Sequence, residues 1–433
     1  MHDTNYLKYA PNDIGKNQRM SEAAKRKKHI HAADLRGAGK LAIEATIGVI
    51  NLVETMHHNI SRLPGILGTT SNDPTRGIAG FVYRSVRGVT RLVGGGLDLV
   101  FGQLATLLKA EKSSNARDAV IAALNGVLGD HLVESHNPLA MSMQFRRNGA
   151  PLTTTKKALA SAIPDATGKI LLLVHGLCMN DAQWRRNGHD HGAALSVDPA
   201  FAIPFTTLYL RYNSGLHISV NGRELAAQLE ALLKAWPVPA QDLTIIAHSM
   251  GGLVTRSACE CGERAGHVWR RRLKKIIFLG TPHFGAPLER AGNWANVILD
   301  RSPYTAAFAR LAKIRSAGIT DLRHASVVDA DWHQQNRFAK SARSKPHDLP
   351  LPAGVTCYAM AASMGEKSGT LKGRMLGDGL VPLPSALGQH ADGRRNLAFP
   401  KSRQWVGYEM NHMDLLDRQH VYRRIRKWLL EDA

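Results

Sequence analysis

Apolar residues change their spacing along this chain, and the changes divide it into parts. Up to residue 38 the sequence is polar and basic with little periodicity, the composition expected of a mobile arm. From Lys40 onward, Ile43, Ile47, Ile50 and Val53 recur at helical spacing until Pro64 and Gly65 interrupt them. Beyond Pro74 a longer stripe runs from Ile78 through Val86, Val93 and Val100 to Leu108. Gly88, Gly94, Gly95, Gly96 and Gly102 fall inside it, which predicts a broken helix or a close helix–helix contact. A third helix is expected over Ala116 to Val133, carrying Val120, Leu124, Val127 and Leu132. Residues 39–140 therefore form an amphipathic helical region, expected to pack against the rest of the chain. An element lying on a lipid surface, with the basic arm in front of it, is the alternative.

From Met141 the period shortens, and residues 141–433 form the second part. Ser142 to Arg147 reads as an edge strand, and Lys169 to Val174 as a strand buried on both faces, since its aliphatic run is unbroken. Thr206 to Tyr212, Leu243 to His248, Lys274 to Gly280, Thr356 to Ala362 and Gln404 to Tyr408 are further strands. Between them lie an amphipathic helix over Asn221 to Trp236, with Asn221 as its cap, and a helix directly after Ser249. A last helix is expected from Met413 to Leu430. Alternation of this kind predicts an α/β fold with a mostly parallel sheet covered by helices on both faces. An insertion over about 284–350 has helical stretches at Arg290 to Leu299 and Ala306 to Ile314, and is placed as a cap or lid. Trp294, Phe308 and Trp332 are aromatic residues within it, and a polar loop from Gly365 to Gly377 precedes Asp378.

Composition narrows the class. The 433 residues are 44% hydrophobic, enough for a substantial core, and this excludes general disorder. Cys178, Cys259, Cys261 and Cys357 have no zinc-type spacing and read as free thiols in a reducing, cytoplasmic setting. No secretory signal layout opens the sequence, and no apolar run is long enough to span a bilayer. The formal charge of +21 gathers at Lys25–Lys28, Arg270–Lys275 and Arg423–Lys427. Such a field attracts anionic surfaces, so peripheral contact with an anionic membrane is a candidate interaction. No nucleic-acid motif accompanies the charge. His189 and His191 flank Asp190 in a loop without a third metal ligand.

The candidate chemistry starts where the Leu243–His248 strand meets the following helix. Ser249 stands between small residues, Ala247 and Gly251, in the sequence A-H-S-M-G. A strand, a sharp turn and a helix around a serine is the setting of a nucleophile elbow. Serine also needs a base and an orienting acid. Downstream, Asp378 lies in the glycine-bounded turn G-D-G-L-V-P, and His412 in N-H-M-D between the last strand and last helix. Asp321, Asp329 and Asp331 are competing acids and His324 a competing base, although none stands at a predicted strand end. Upstream, His175-Gly176-Leu177 follows a central strand. The N–H groups of Leu177 and Met250 are then the candidate oxyanion donors.

Taken together, H-G-L, A-H-S-M-G-G, G-T-P-H-F-G (280–285), G-D-G-L-V-P and N-H-M-D resemble the α/β-hydrolase superfamily over residues 145–431. The set is most similar to the bacterial lipase/esterase group and also resembles inositol-deacylase-like hydrolases. The resemblance implies a serine hydrolase acting on an ester or lipid-like substrate through Ser249, His412 and Asp378, with no cofactor. It departs from the commonest elbow at Ala247. Acyl transfer by the same triad, or a lipid-surface-binding protein on a hydrolase scaffold, are the alternatives. Some lipases of this group hold calcium through an aspartate two residues after the histidine. Asp414 has that spacing, and capping of the following helix is its other expected role.

Overall fold

The computed structural model describes residues 114–286, 316–332, 347–366 and 377–431. The arm and the first two expected helices lie outside these residues. So do the Arg290–Leu299 and Ala306–Ile314 stretches, Trp294 and Phe308, and most of the Gly365–Gly377 loop.

Besides two four-residue turns at Trp269–Arg272 and Leu383–Ala386, the described α-helices are α1 (Ser114–Glu134), α2 (Lys156–Ala162), α3 (His191–Ser196), α4 (Ile218–Lys234), α5 (Met250–Arg264), α6 (Ala317–His324) and α7 (Gln419–Leu430). The strands are β1 (Gln144–Arg147), β2 (Ala150–Pro151), β3 (Lys169–Val174), β4 (Thr206–Arg211), β5 (Asp242–His248), β6 (Leu273–Leu279), β7 (Thr356–Ser363) and β8 (Gln404–Tyr408). They form one sheet in the order β2-β1-β4-β3-β5-β6-β7-β8. β1 pairs antiparallel with β2 and β4, and every pairing from β4 through β8 is parallel.

Alternate residues of the central strands feed two separate cores. Ile170, Leu172, Val174, Ile245 and Ile276 join Leu225, Leu229, Leu253 and Val254 of α4 and α5 on one face. Leu171, Leu173, Ile246 and Ile277 join Val421, Ile425 and Trp428 of α7 on the other. Helices thus cover both faces, which is why β3 carries no polar residue after Lys169.

α1 belongs to the first of these cores through Val120, Leu124, Val127 and Leu132. Its Asn125 amide donates to Leu139 O at 2.8 Å, and Asn213 of the β4–α4 loop donates to Gly129 O at 3.0 Å. This helix, the third expected from the sequence, is packed on the sheet domain and is apolar around most of its circumference. α6 closes over it: Ser316 Oγ donates to Gly126 O at 2.7 Å, and Asp130 accepts from Ala317 N at 3.0 Å. Among the described residues, no helix is long and apolar enough to cross a membrane.

Two sequence expectations need correction. α4 begins at Ile218, and Asn221 lies inside it, where its amide donates to Asn213 O at 3.0 Å instead of capping. The final helix is interrupted: residues His412–Leu416 make a 3₁₀ turn, and α7 starts only at Gln419. Asn411 caps that turn through bonds to the Met413 and Asp414 N–H groups, and Asp414 returns a bond to the Asn411 N–H. A continuous helix would carry His412 away from the sheet.

Candidate active site

Ser249 sits between β5 and α5 with φ 53° and ψ −126°, a strained conformation for a residue with a side chain. Its N–H donates to Leu279 O of β6 at 2.8 Å, which ties the turn to the neighbouring strand. The helix must then pass close to the β3 end. A Cβ on Gly251 would lie 2.5 Å from His175 O and 2.6 Å from Val174 O, both backbone atoms that cannot move aside. The small residue two after Ser249 is therefore a packing necessity.

Asp378 and His412 meet across 34 residues of sequence. His412 Nδ1 and Asp378 Oδ2 are 2.6 Å apart, and each residue is 1% exposed. The other carboxylate oxygen accepts from the N–H groups of Leu380 and Val381 at 3.0 and 2.8 Å. The His412 N–H donates to Asp378 O at 3.1 Å, so backbone and side chain are both locked. Gly377 at φ 69° and Gly379 at φ 92° let the chain fold tightly around the acid. On the far side of the ring, His412 Nε2 is buried without a protein partner. The ring lies against the elbow. Its centroid lies 4.6 Å from that of His248 with the rings tilted by 44°, and a Cβ on Gly280 would come within 3.0 Å of His412 Cε1.

The loop after β3 is held from several directions. His175 stacks on Tyr212 at 4.3 Å, and the Tyr212 hydroxyl donates to His175 O at 2.8 Å. The Tyr212 N–H donates to His175 Nε2 at 3.3 Å, while His175 Nδ1 bonds Gly176 O at 2.8 Å. Cys178, at φ 59°, donates its N–H to Ser214 Oγ at 3.0 Å. Leu177 lies between these anchors, 2% exposed, and among the described residues no acceptor takes its N–H or that of Met250. Met250 opens α5, where N–H groups lack intrahelical partners.

Burial shapes the electrostatics. It lowers the His175 pKa to about 4 and keeps His248 well below the usual histidine value. Both imidazoles are therefore neutral near pH 7. Burial likewise pushes the thiols of Cys178, Cys259 and Cys357 up to about 12, and all four cysteines are free. They pack as small apolar groups.

The competing acids are engaged elsewhere, and His324 lines a cavity that Ser249 does not line. Asp321 accepts from His217 Nδ1 and the Ile218 N–H, each at 2.9 Å. Asp329 accepts from Ser219 and Arg223, and Asp331 bonds His347 at 2.8 Å. Trp332 stacks on His217 at 3.7 Å and donates to Ser219 Oγ, so it belongs to the scaffold around α4. Asp414 spends its carboxylate on the Asn411 N–H and on Arg418 at 3.0 Å. His189 and His191 bond one another at 2.8 Å, and His191 Nε2 bonds Leu415 O at 3.1 Å. Among the described residues, no cluster of His, Cys, Asp and Glu could hold a metal.

The sequence did not single out Tyr212, Ser214 or His248. Tyr212 and Ser214 lie just past β4, whose carboxyl end faces the same loops, and that position was the signal available.

A family model described as a PGAP1-like alpha/beta domain matches residues 165–349. The match includes Ser249 and ends before Asp378 and His412. Among solved structures, Aspergillus fumigatus lipase B is similar at 12% identity, with a TM-score of 0.38 over 66% of this chain and 59% of that one. This chain thus spans little more than half of that lipase. A thermophilic esterase from Thermogutta terrifontis is similar at 15% identity, with a TM-score of 0.34 over 61% of this chain and 90% of that one. Phospholipase PlaB from Legionella pneumophila is similar at 12% identity, with a TM-score of 0.32 over 50% of this chain and 45% of that one. No curated protein matches the sequence. The parallel sheet order, the strand–turn–helix at Ser249 and the family match together give this chain an α/β-hydrolase fold.

Proposed function

We propose that this chain hydrolyses a carboxylic ester, of acyl or lipid-like type, through a covalent acyl-enzyme on Ser249. The observation that carries the reading is the buried Asp378–His412 bond of 2.6 Å, which leaves His412 Nε2 unclaimed beside the elbow. With the proton held on Nδ1 by the carboxylate, Nε2 presents a lone pair.

In the first step Nε2 takes the Ser249 hydroxyl proton as Oγ attacks the ester carbonyl carbon. The carbonyl π electrons move to its oxygen, and that negative charge is held by the N–H groups of Leu177 and Met250. One such donor contributes about 3 kcal/mol to the transition state. Asp378 stabilises the imidazolium without itself taking the proton. Collapse of the tetrahedral intermediate breaks the carbon–oxygen bond to the alcohol, which leaves with the proton from Nε2. Water then gives its proton to Nε2 and adds to the acyl carbon. The second collapse frees the carboxylic acid and returns the proton to Ser249. An alcohol in place of water would give acyl transfer with the same groups.

The test pairs an alkyl fluorophosphonate probe with a panel of short- and long-chain esters. Labelling of Ser249 and ester turnover that vanishes in Ser249→Ala are expected. Turnover that survives this substitution would sink the reading.

A further inference from the structure

Arg256 stands on α5 seven residues after Ser249, about 10 Å along the helix at ~1.5 Å per residue. It is 4% exposed, and its Nε has no hydrogen-bond partner. One terminal nitrogen donates to Leu349 O, and no carboxylate pairs with it among the described residues. A buried guanidinium without a counter-ion costs several kcal/mol in desolvation, so its retention calls for an anion from outside.

His283 lies beside it, 2% exposed, with both ring nitrogens unpartnered. Both residues line a cavity of about 370 Å³, whose outer part carries His347, His390, Arg394 and Arg395. Asp348, bonded to Arg395 at 2.5 Å, is the only carboxylate among the described lining residues. Arg394 is mostly exposed and pairs with Asp392. Arginine side chains outnumber the acid, and imidazole donors surround the space. Neither Ser249, Asp378 nor His412 lines it.

We infer that this cavity is a binding site for a phosphate-class anion, separate from Ser249, with Arg256 and His283 as its inner donors. Phosphate suits the set because it accepts several charge-assisted bonds at once, including a pair from one guanidinium. Burial holds His283 neutral, leaving one ring N–H to donate and Arg256 to supply the charge. A free phosphate or monoester and the headgroup of phosphatidic acid offer the same three terminal oxygens.

The experiment is calorimetric titration of the full chain with inorganic phosphate and with glycerol 3-phosphate at constant ionic strength, chloride serving as the control anion. A parallel arm measures co-sedimentation with vesicles carrying phosphatidic acid. Arg256→Met is expected to weaken binding at least ten-fold, while Lys274→Gln, in the exposed basic cluster, leaves it unchanged. Arg394→Gln, on the exposed edge and harmless to folding, should weaken it about three-fold and stands in if Arg256→Met does not fold. Dependence on these arginines in the soluble arm identifies a free phosphate ligand, and dependence only in the vesicle arm identifies a headgroup. Equal binding by wild type and both arginine variants in both arms overturns the inference. Because no readout involves ester turnover, failure here leaves the proposed chemistry at Ser249 standing.

Discussion

Two buried polar regions share the first two turns of α5, and they are built in opposite ways. Around Ser249 almost every polar atom has a fixed partner. Asp378 accepts three bonds, His412 is bonded at ring and backbone, and His175 is bonded at both ring nitrogens. What stays open is His412 Nε2, His248 Nδ1 and the N–H groups of Leu177 and Met250. Around Arg256 and His283 the inner donors are largely unclaimed: Arg256 Nε and both His283 ring nitrogens have no partner, and one Arg256 terminal nitrogen reaches Leu349 O. The difference fits what each region is proposed to handle. A proton moving in one direction needs locked tautomers on every group but one. An ion arriving from solvent needs donors that no internal acceptor has taken.

Substitutions at the first region should separate it from the second. The largest effect is expected for Ser249→Ala, which removes the proposed nucleophile. We predict a loss of kcat on the order of 10⁵-fold or more, with phosphate binding and melting temperature unchanged; steady-state ester kinetics checks this. Asp378→Asn comes next, with a loss of roughly 10⁴-fold in kcat, because an amide there favours the wrong tautomer of His412. A variant within ten-fold of wild type would mean that His412 is oriented by something else.

Gly251→Val strikes the packing beneath the elbow. Its Cβ would stand 2.5 Å from His175 O, so at least ~3 kcal/mol of stability should be lost. Urea unfolding measures it, and a stable variant would contradict the close approach of α5 to β3.

A smaller effect is expected from pH. In the unfolded chain His175 takes a proton near its ordinary value of 6.5, whereas burial delays this in the folded protein to about 4. Its contribution to stability is therefore complete above pH 6.5 and declines as pH falls through the window from 6.5 to 4, by at most ~1.4 kcal/mol per pH unit. His191, lowered by burial to about 3, acts with the same sign. Urea midpoints at pH 7.5 and 5 should show the loss, and a flat profile would argue against buried neutral imidazoles.

Much of this was legible in the sequence, and the reason is local. β3, β5 and β6 carry aliphatic runs that only a doubly covered strand requires, and their observed bounds differ from expectation by a residue or so. The sequence places Ser249 at the end of a strand, Asp378 in a glycine-bounded turn and His412 just before the last helix, and the structure has each in that setting. The misplaced features depend on partners far away in sequence. Asn221 has the chemistry of a cap, yet its amide finds Asn213 once the β4–α4 loop folds back. The break before α7 comes from Asn411 and Asp414 capping a single turn, which competes with the apolar periodicity of Leu415 and Leu416. The cavity at Arg256 was hidden altogether. Its lining comes from α5, the β6 end and the segments around His347 and His390, and no spacing in the chain joins them.

The finest test of the comparison lies in the support beneath the Leu177 N–H. The Tyr212 side chain touches that loop twice, by its ring on His175 and by its hydroxyl on His175 O at 2.8 Å. Tyr212→Phe keeps the stacked ring and removes only the hydroxyl. The fully buried His175 O then loses an acceptor bond, at a cost of about 1 kcal/mol. If the oxyanion charge is held by Leu177, part of that loss should fall on the transition state: kcat should drop a few-fold to ten-fold while KM stays near wild type. A purely structural role would lower the melting temperature and leave kcat untouched. Equal kcat with a lower melting temperature would thus move the oxyanion site away from Leu177, whereas phosphate binding at Arg256 should be indifferent to the change.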